Sequence, residues 1–134
     1  MGAVVRQAVL GSVTPFFIVS DLAQAASFYV DRLGFEVTFR APDNEPFFAI
    51  LQRDQVRIMV KVIDATVHPV PNHTRHPWAR WDAFVHTSDP DALASEFTAA
   101  GVKLHQPLGD TDDGLRGFET KDHDGYVIFF GRPL

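Results

Sequence analysis

The chain carries the stretch Val13-Thr14-Pro15-Phe16-Phe17-Ile18-Val19-Ser20-Asp21 and, 68 residues later, the counterpart Trp81-Asp82-Ala83-Phe84-Val85-His86-Thr87-Ser88-Asp89. Extended without a gap to Val30 and Thr98, the two copies share five identities in eighteen positions. Ordinary composition supplies about one. After a one-residue gap the match resumes at Gly34 and Gly101. We therefore predict an internal duplication.

Each copy begins as a strand and continues as a helix. In the first copy Asp21, three residues before Gln24, forms a capping-box pattern, and in the second Asp89 precedes Pro90, which suits the first helical position. Apolar residues then recur at helical spacing, and a glycine stands where each helix should stop. The predicted helices cover 22–32 and 90–100.

Three strand-like runs follow each helix, separated by short turns. Asp122-His123-Asp124-Gly125 ends in Asp-Gly, a strong hairpin signal, and Gln52-Arg53-Asp54 is the matching connection in the first copy. The predicted strands cover 35–40, 46–51 and 55–63 in the first copy, and 102–106, 115–121 and 126–131 in the second.

The duplication predicts an α+β protein built from two strand-helix-strand-strand-strand units. The units cover 13–63 and 81–131, and a linker containing several prolines and histidines covers 64–80. The whole chain, 1–134, has the length of a single domain with one core.

Composition and charge exclude several classes of protein. Hydrophobic residues make up 46% and charged residues 22% of the 134 residues, which is ordinary for a globular domain. The net charge of −5 argues against nucleic acid and anionic membranes as partners, and mildly favours a neutral or cationic ligand. Without cysteine, the chain has no disulfide, thiolate metal site or cysteine nucleophile. Since no apolar run is long enough to span a bilayer and no secretory signal is seen, we expect a cytoplasmic protein.

With these motifs the chain resembles the vicinal oxygen chelate superfamily, which contains glyoxalase I, extradiol dioxygenases, fosfomycin-resistance enzymes and bleomycin-resistance proteins. The resemblance runs through about residues 13–131. Its most specific pieces are Val19-Ser20-Asp21-Leu22, Phe28-Tyr29, Leu33-Gly34-Phe35, Gly114-Leu115-Arg116-Gly117-Phe118-Glu119 and Asp122-His123-Asp124-Gly125-Tyr126. The family commonly has proline where His123 stands. The resemblance implies two tandem βαβββ units whose eight strands form an incomplete barrel around a cleft.

The resemblance also implies where a metal would be held. Enzymes of the family bind a divalent ion with His, Gln or Glu side chains from the first and last strands of both units. The matching positions here are Thr14, Asp82, Met59 and Phe129, of which only Asp82 is a plausible ligand. We therefore expect no metal at the usual site and no cofactor.

Strand alternation predicts which residues face the cleft. In the last strand of the first unit, valine and isoleucine side chains form one apolar face. The opposite face carries the position from which enzymes of the family bind their metal. The same alternation places further aromatic side chains of the other strands on this side, and a tryptophan lies beside them. We therefore expect an aromatic cleft suited to a small organic ligand. The candidate ligand-binding residues are Phe16, Arg57, Met59, Lys61, Trp81, Asp82, Phe84, His86 and Phe129.

Each polar candidate has a structural alternative. His86 can hydrogen-bond a ligand or be satisfied within the fold. Arg57 and Lys61 can bind an anionic group or be solvated or paired with acids. Asp82 can form an ion pair with a ligand amine, or it can pair with Arg80 or Arg57. The whole cleft can alternatively be solvated or covered by a second subunit.

Two other clusters point to no site. His68, His73 and His76 lie among prolines with no carboxylate between them, which favours a His-rich loop over a metal centre. Asp110, Asp112 and Asp113 lack the closing glutamate of a calcium loop.

The leading functional hypothesis is a metal-independent binding protein of the bleomycin-resistance type, which sequesters a small aromatic or cationic molecule. In that subfamily two chains exchange units so that the clefts form at a dimer interface, and the resemblance therefore implies a homodimer. One alternative is a metal-dependent lyase or dioxygenase with relocated ligands, using Asp82, His86 and a loop residue. Another is a regulatory or immunity-like partner of a biosynthetic enzyme.

Overall fold

The computed structural model describes Val5 and residues 7–134; the other residues of the predicted 1–134 domain lie outside the described residues. The first unit contains β1 (Phe16–Ile18), α1 (Leu22–Ser27) continued by a π-helical turn (Phe28–Arg32), β2 (Glu36–Ala41), β3 (Phe48–Arg53) and β4 (Val56–Lys61). A short helix α2 (Asn72–Arg75) lies in the linker. The second unit contains β5 (Ala83–His86), α3 (Pro90–Ala99), β6 (Gln106–Asp110), β7 (Leu115–Lys121) and β8 (Val127–Pro133).

The strands form two four-stranded mixed sheets with the same topology. Sheet 1 has the order β1-β4-β3-β2, and sheet 2 has the order β5-β8-β7-β6. In each sheet the first strand of the unit runs parallel to the last one, and the remaining pairs are antiparallel. This arrangement confirms the α+β class and the two tandem βαβββ units. The two sheets are not closed into one barrel.

The helix ends follow the sequence signals. The Asp21 side chain accepts a hydrogen bond from the backbone N–H of Gln24 at 2.9 Å, and the Asp89 side chain accepts one from the backbone N–H of Ala92 at 3.0 Å. Each aspartate thereby satisfies a free N–H group of the first helical turn. After the helices the chain reverses at Gly34, where φ is +75°, a value that favours glycine.

Three features differ most from the prediction. The strand predicted at 102–106 is β6, which begins only at Gln106 and includes Pro107 and Gly109. The strand predicted at 46–51 is β3, which continues through Arg53, so that the turn lies at Asp54 and Gln55 rather than at 52–54. The linker, expected to be irregular, contains α2.

One hydrophobic core is shared by both units. The helix-bearing faces of the two sheets meet, and Phe17 of β1 stacks on Tyr126 of the second unit with ring centroids 4.3 Å apart. Tyr29, Leu51, Phe97, Phe118 and Phe130 are fully or almost fully buried in this core. The opposite faces of the sheets, here called outer face 1 and outer face 2, therefore point away from the core.

Each unit also places a hairpin turn against the other unit's helix. From the first unit, Arg53 donates to both carboxylate oxygens of Glu96 on α3 at 2.6 and 2.9 Å. From the second unit, the buried Asp122 carboxylate accepts a hydrogen bond from Tyr29 at 2.9 Å. These reciprocal contacts fix the relative orientation of the two units. In the part of the chain that the structure describes, no helix has the length and apolar character required to cross a membrane.

Candidate functional site

Outer face 1 carries a row of apolar side chains across all four strands. The strand register aligns Phe16 with Met59, Met59 with Ile50, and Ile50 with Phe39. Phe48 lies beside this row, with ring centroids 6.3 Å from Phe16 and 6.1 Å from Phe39. Phe16 is 50% exposed and Phe39 is 51% exposed, so that a broad aromatic surface is open in the single chain.

Two cations border this surface. Alternation along β4 buries Ile58 and Val60 in the core and leaves Arg57 and Lys61 on the opposite side, with Met59 between them. The Arg57 Nε donates to Gln52 Oε1 at 3.3 Å, and the Lys61 ammonium lies 5.5 Å from the Phe47 ring centroid. Outer face 1 is therefore aromatic with a positively charged border.

Outer face 2 carries a compact aromatic cluster, defined by Trp81, Phe84 and Phe129. The centroid of the Trp81 ring lies 4.8 Å from that of Phe129 and 5.4 Å from that of Phe84, and Phe84 and Phe129 are 5.1 Å apart. His86 extends the cluster, since its ring lies 4.5 Å from Phe84. Phe84 pairs with Phe129 in the same register as Phe16 with Met59, so the two outer faces are equivalent in the duplicated fold.

Phe129 is held at the centre of this cluster. Its side chain is 1% exposed, although it lies on the face opposite the core. A Cβ atom added at Gly117 or Gly131 would come within 2.6 or 2.5 Å of the Phe129 ring. The two glycines therefore make room for the ring to lie against the sheet, under Trp81 and Phe84.

Glu119 belongs to the same face and was not among the residues predicted from the sequence. It pairs with Phe129 across the β7–β8 ladder and is only 3% exposed. Its Oε2 accepts a hydrogen bond from the Trp81 indole N–H at 3.0 Å, and its Oε1 lies 4.0 Å from His105 Nε2. Alternation along β7 would have placed Glu119 on this face, but the register with Phe129 is not readable from the sequence.

Asp82 acts as a clamp within the fold. Its Oδ1 accepts a hydrogen bond from the backbone N–H of Asn72, and its Oδ2 accepts one from the backbone N–H of Val127, both at 2.8 Å. The ion pairs considered for it are not formed, because Arg80 lies 3.9 Å from Asp113 and Arg57 is bonded to a glutamine. The carboxylate thus ties the start of α2 to the start of β8.

The family's metal position does not fit a metal ion here. Of its four positions, Phe129 offers no donor atom, Met59 offers a soft thioether, and both Asp82 oxygens accept backbone hydrogen bonds. Thr14, the fourth, offers a weak hydroxyl donor. Within Val5 and residues 7–134, no three His, Cys, Asp or Glu side chains are grouped so that they could hold a metal.

Two of the three linker histidines, His73 and His76, have structural partners. The ring of His73 hydrogen-bonds the Gly125 carbonyl at 2.7 Å, which ties α2 to the β7–β8 turn. His76 Nδ1 accepts from the Trp78 amide at 3.1 Å, and Trp78 itself is 88% exposed. Asp110 pairs with Arg116 at 2.9 Å.

A protein-family comparison identifies the class. The model of the Glyoxalase/Bleomycin resistance protein/Dioxygenase superfamily matches residues 10–130, which is nearly the whole chain. The chain belongs to this superfamily. A search of the curated proteins found no match.

Several solved structures share the fold. TioX from Micromonospora sp. ML1 is 29% identical with a TM-score of 0.70, and the alignment covers 92% of this chain and all of TioX. TnmS3, an antibiotic binding protein from Streptomyces sp. CB03234, is 21% identical with a TM-score of 0.71 over 96% of this chain and all of TnmS3. The bleomycin-binding protein of bleomycin-producing Streptomyces verticillus, solved with copper(II)-bleomycin, is 24% identical with a TM-score of 0.67 over 92% of this chain and 97% of that protein. The latter two likenesses concern the fold alone.

Proposed function

We propose that this protein binds and sequesters a small aromatic or cationic molecule, of the kind found among antibiotics, without a metal ion and without changing it chemically. The observation that carries the proposal is the aromatic cluster of outer face 2. The resemblance puts Phe129 at one of the positions from which enzymes of the superfamily bind their metal, and its ring packs against Trp81 and Phe84. Aromatic surfaces with a few fixed polar groups are typical of sites for organic ligands.

Two of the similar structures support this direction. TnmS3 is described as an antibiotic binding protein, and the Streptomyces verticillus protein was solved with copper(II)-bleomycin. Both share the fold of this chain over more than nine-tenths of its length. A binding role thus has precedent on this scaffold.

We further propose that the protein acts as a homodimer, in which outer face 1 of one protomer lies opposite outer face 2 of its partner. In one chain these faces point away from each other, and outer face 1 leaves Phe16 and Phe39 half exposed. Large exposed aromatic patches of this kind mark interaction sites. The charges are complementary, because Arg57 and Lys61 border outer face 1 while Glu119 lies in outer face 2.

In this arrangement the proposed ligand lies between the two faces. Trp81, Phe84 and His86 supply stacking surfaces from one protomer, and Phe16 and Met59 close the cleft from the other. Lys61 and Arg57 lie at the rim, where they can meet a polar substituent of the ligand. Asp82 contributes by holding the strand that carries the aromatic cluster.

The test compares Phe84→Ala with the wild type by isothermal titration calorimetry of metal-stripped protein. The titrants are metal-free bleomycin and a panel of planar cationic antibiotics. We expect wild-type binding that a chelator does not weaken, and a loss of about 10-fold or more in affinity for the variant, because a stacked aromatic contact is removed. Phe84 is partly exposed, so the variant should keep the wild-type circular dichroism spectrum.

Trp78→Ala is the matched control, since it removes an aromatic side chain that is 88% exposed on the linker. Equal losses in the two variants, or binding of a non-chelating antibiotic that appears only after a divalent metal is added, would contradict the proposal.

A further inference from the structure

The indole of Trp81 already carries a cation on one side. The Arg80 guanidinium carbon lies over the ring, 5.0 Å from its centroid. The Phe129 ring also packs on this indole, with centroids 4.8 Å apart and a tilt of 31°, and no cation–π contact joins Arg80 to Phe129 in the part of the chain that the structure describes. Arg80 therefore covers a part of the indole surface that Phe129 leaves free, which is called here the free face of Trp81.

Arg80 is held loosely in this position. Its guanidinium lies 3.9 Å from the Asp113 carboxylate, and both side chains are substantially exposed. Exposed ion pairs at such separations contribute little to stability. A cavity of about 360 Å³ lies next to Arg80, and acids of the β6–β7 turn line it. A displaced guanidinium can move towards these acids without losing a charged partner.

The surroundings of Trp81 favour a cation on its free face. The buried Glu119 carboxylate accepts the indole N–H at 3.0 Å, and this negative charge increases the attraction of the ring for cations. Asp112 and Asp113 add negative charge on the side of the cavity. An anionic ligand group would be repelled by the same carboxylates, which argues against Arg80 as an anion-recognition residue.

We infer that the free face of Trp81 is a subsite for a planar cationic group of the ligand, and that Arg80 is a built-in competitor which the ligand displaces. The inference rests on the proposed function and deepens it, because it names the chemical class of one part of the ligand. Guanidinium, amidinium and positively charged heteroaromatic groups have the required shape and charge.

The test uses two probes of equal shape, 10-methylacridinium, which is a permanent cation, and acridine, which is neutral at pH 8. Calorimetry gives the affinities, and the emission of Trp81 in a Trp78→Phe background shows that the probe stacks on this indole. We expect 10-methylacridinium to bind the wild type more tightly than acridine. Arg80→Ala should tighten 10-methylacridinium binding about three- to fivefold, in line with the loss of one exposed cation–π competitor, and affect acridine less.

Two further variants sharpen the test. Arg80→Lys retains the charge and should bind more like the wild type than Arg80→Ala does. Glu119→Gln can still accept the indole N–H and should weaken the cationic probe but not acridine.

Each other outcome has a definite meaning. If Arg80→Ala weakens 10-methylacridinium, Arg80 contributes to binding and the inference is wrong. If both probes bind equally and respond equally to Arg80→Ala, the aromatic site stands and its preference for cations is refuted. If neither probe binds either protein and the antibiotic panel also fails, the proposed function itself is refuted.

Discussion

At the scale of single residues, Phe129 is the side chain on which the proposed metal-independent function depends most. Its ring lies over the backbone of two glycines and under Trp81, where it is 1% exposed. A phenyl ring offers no donor atom to a metal ion, and in this structure it forms the centre of the aromatic cluster.

Replacement of Phe129 by alanine should destabilise the protein strongly. The substitution leaves a cavity beneath Trp81 and Phe84, and comparable substitutions of buried phenylalanine cost about 3–5 kcal/mol in the free energy of unfolding. Urea unfolding followed by circular dichroism measures this cost, with Trp78→Ala as an exposed aromatic control. A loss below about 1 kcal/mol would show that Phe129 is not a packing residue.

Trp81 and Glu119 form the most consequential buried polar contact of the aromatic cluster. Trp81→Phe removes the indole N–H and leaves the Glu119 Oε2 without its donor in a site that is 3% exposed. Such an unsatisfied buried group costs about 1–3 kcal/mol, more for a charged group. Urea unfolding should therefore show a loss for Trp81→Phe that shrinks in the double variant Trp81→Phe/Glu119→Leu. Equal stability of wild type and Trp81→Phe would mean that the hydrogen bond contributes nothing.

The residues of the candidate site were only partly predictable from the sequence. Strand alternation, which backbone geometry fixes, predicts that Phe84 and Phe129 share one face of their sheet, and the two residues are paired there. Glu119 was missed, since its burial depends on the neighbouring strand and on an indole 38 residues away in the sequence. Nor could the sequence foresee that Asp82 would bond two backbone amides.

At the scale of elements, local signals predicted the helices well and some strands poorly. Capping aspartates and following glycines act within one turn of a helix, and both helices lie where these signals place them. The apolar alternation at Val102 and Leu104 predicted a strand, but Val102 is buried in the core without strand pairing. Pairing starts at Gln106 and passes through Pro107 and Gly109, residues that propensity assigns to turns.

The β7–β8 turn should give the protein a pH-dependent stability. Burial raises the pKa of Asp122 to about 6 from its ordinary 3.8, against the hydrogen bonds from Tyr29 and from backbone amides, which lower it. Between about pH 4 and pH 6 the folded state therefore holds a proton that the unfolded state has released. Stability from this group is complete below pH 4 and is lost as the pH rises through 6, by about 3 kcal/mol in total.

Asp122→Asn tests this expectation, because the amide keeps the acceptor oxygen and cannot ionise. The stability of the variant relative to the wild type should rise between pH 4 and pH 7 in urea unfolding experiments. Tyr29→Phe serves as the opposing control, since it removes a hydrogen bond that lowers the pKa of Asp122 and should steepen the wild-type slope. Parallel pH profiles for the wild type and Asp122→Asn would refute the assignment.

At the scale of the whole molecule, the duplicated units share one core and turn their outer faces away from it. The superfamily fold could be predicted because the repeat, the caps and the turn motifs can each be read from short stretches of sequence. The packing of one unit on the other depends instead on contacts such as Phe17 on Tyr126, 109 residues apart. A cleft between the outer faces therefore requires a second protomer in the account proposed here.

Phe16→Asp should convert the proposed dimer into a monomer. Phe16 is 50% exposed on outer face 1, so an aspartate is tolerated in the single chain, whereas in the dimer it would remove an aromatic contact and bring a carboxylate close to that of Glu119. Sedimentation velocity measures the change, with Trp78→Ala as a control that should remain dimeric. A monomeric wild type, or a Phe16→Asp variant that still forms the wild-type dimer, would contradict the arrangement.

The central claim is that this protein binds its ligand in an aromatic cleft rather than at a metal centre. The most direct measurement is calorimetric titration of the metal-stripped protein with metal-free bleomycin and the planar cationic antibiotics. Compounds that do not themselves chelate metals are then titrated again after saturation of the protein with divalent metal ions. The account predicts that at least one compound binds the stripped protein, and that added metal leaves its affinity unchanged. Binding that depends on restored metal, or the failure of every compound to bind, would contradict it.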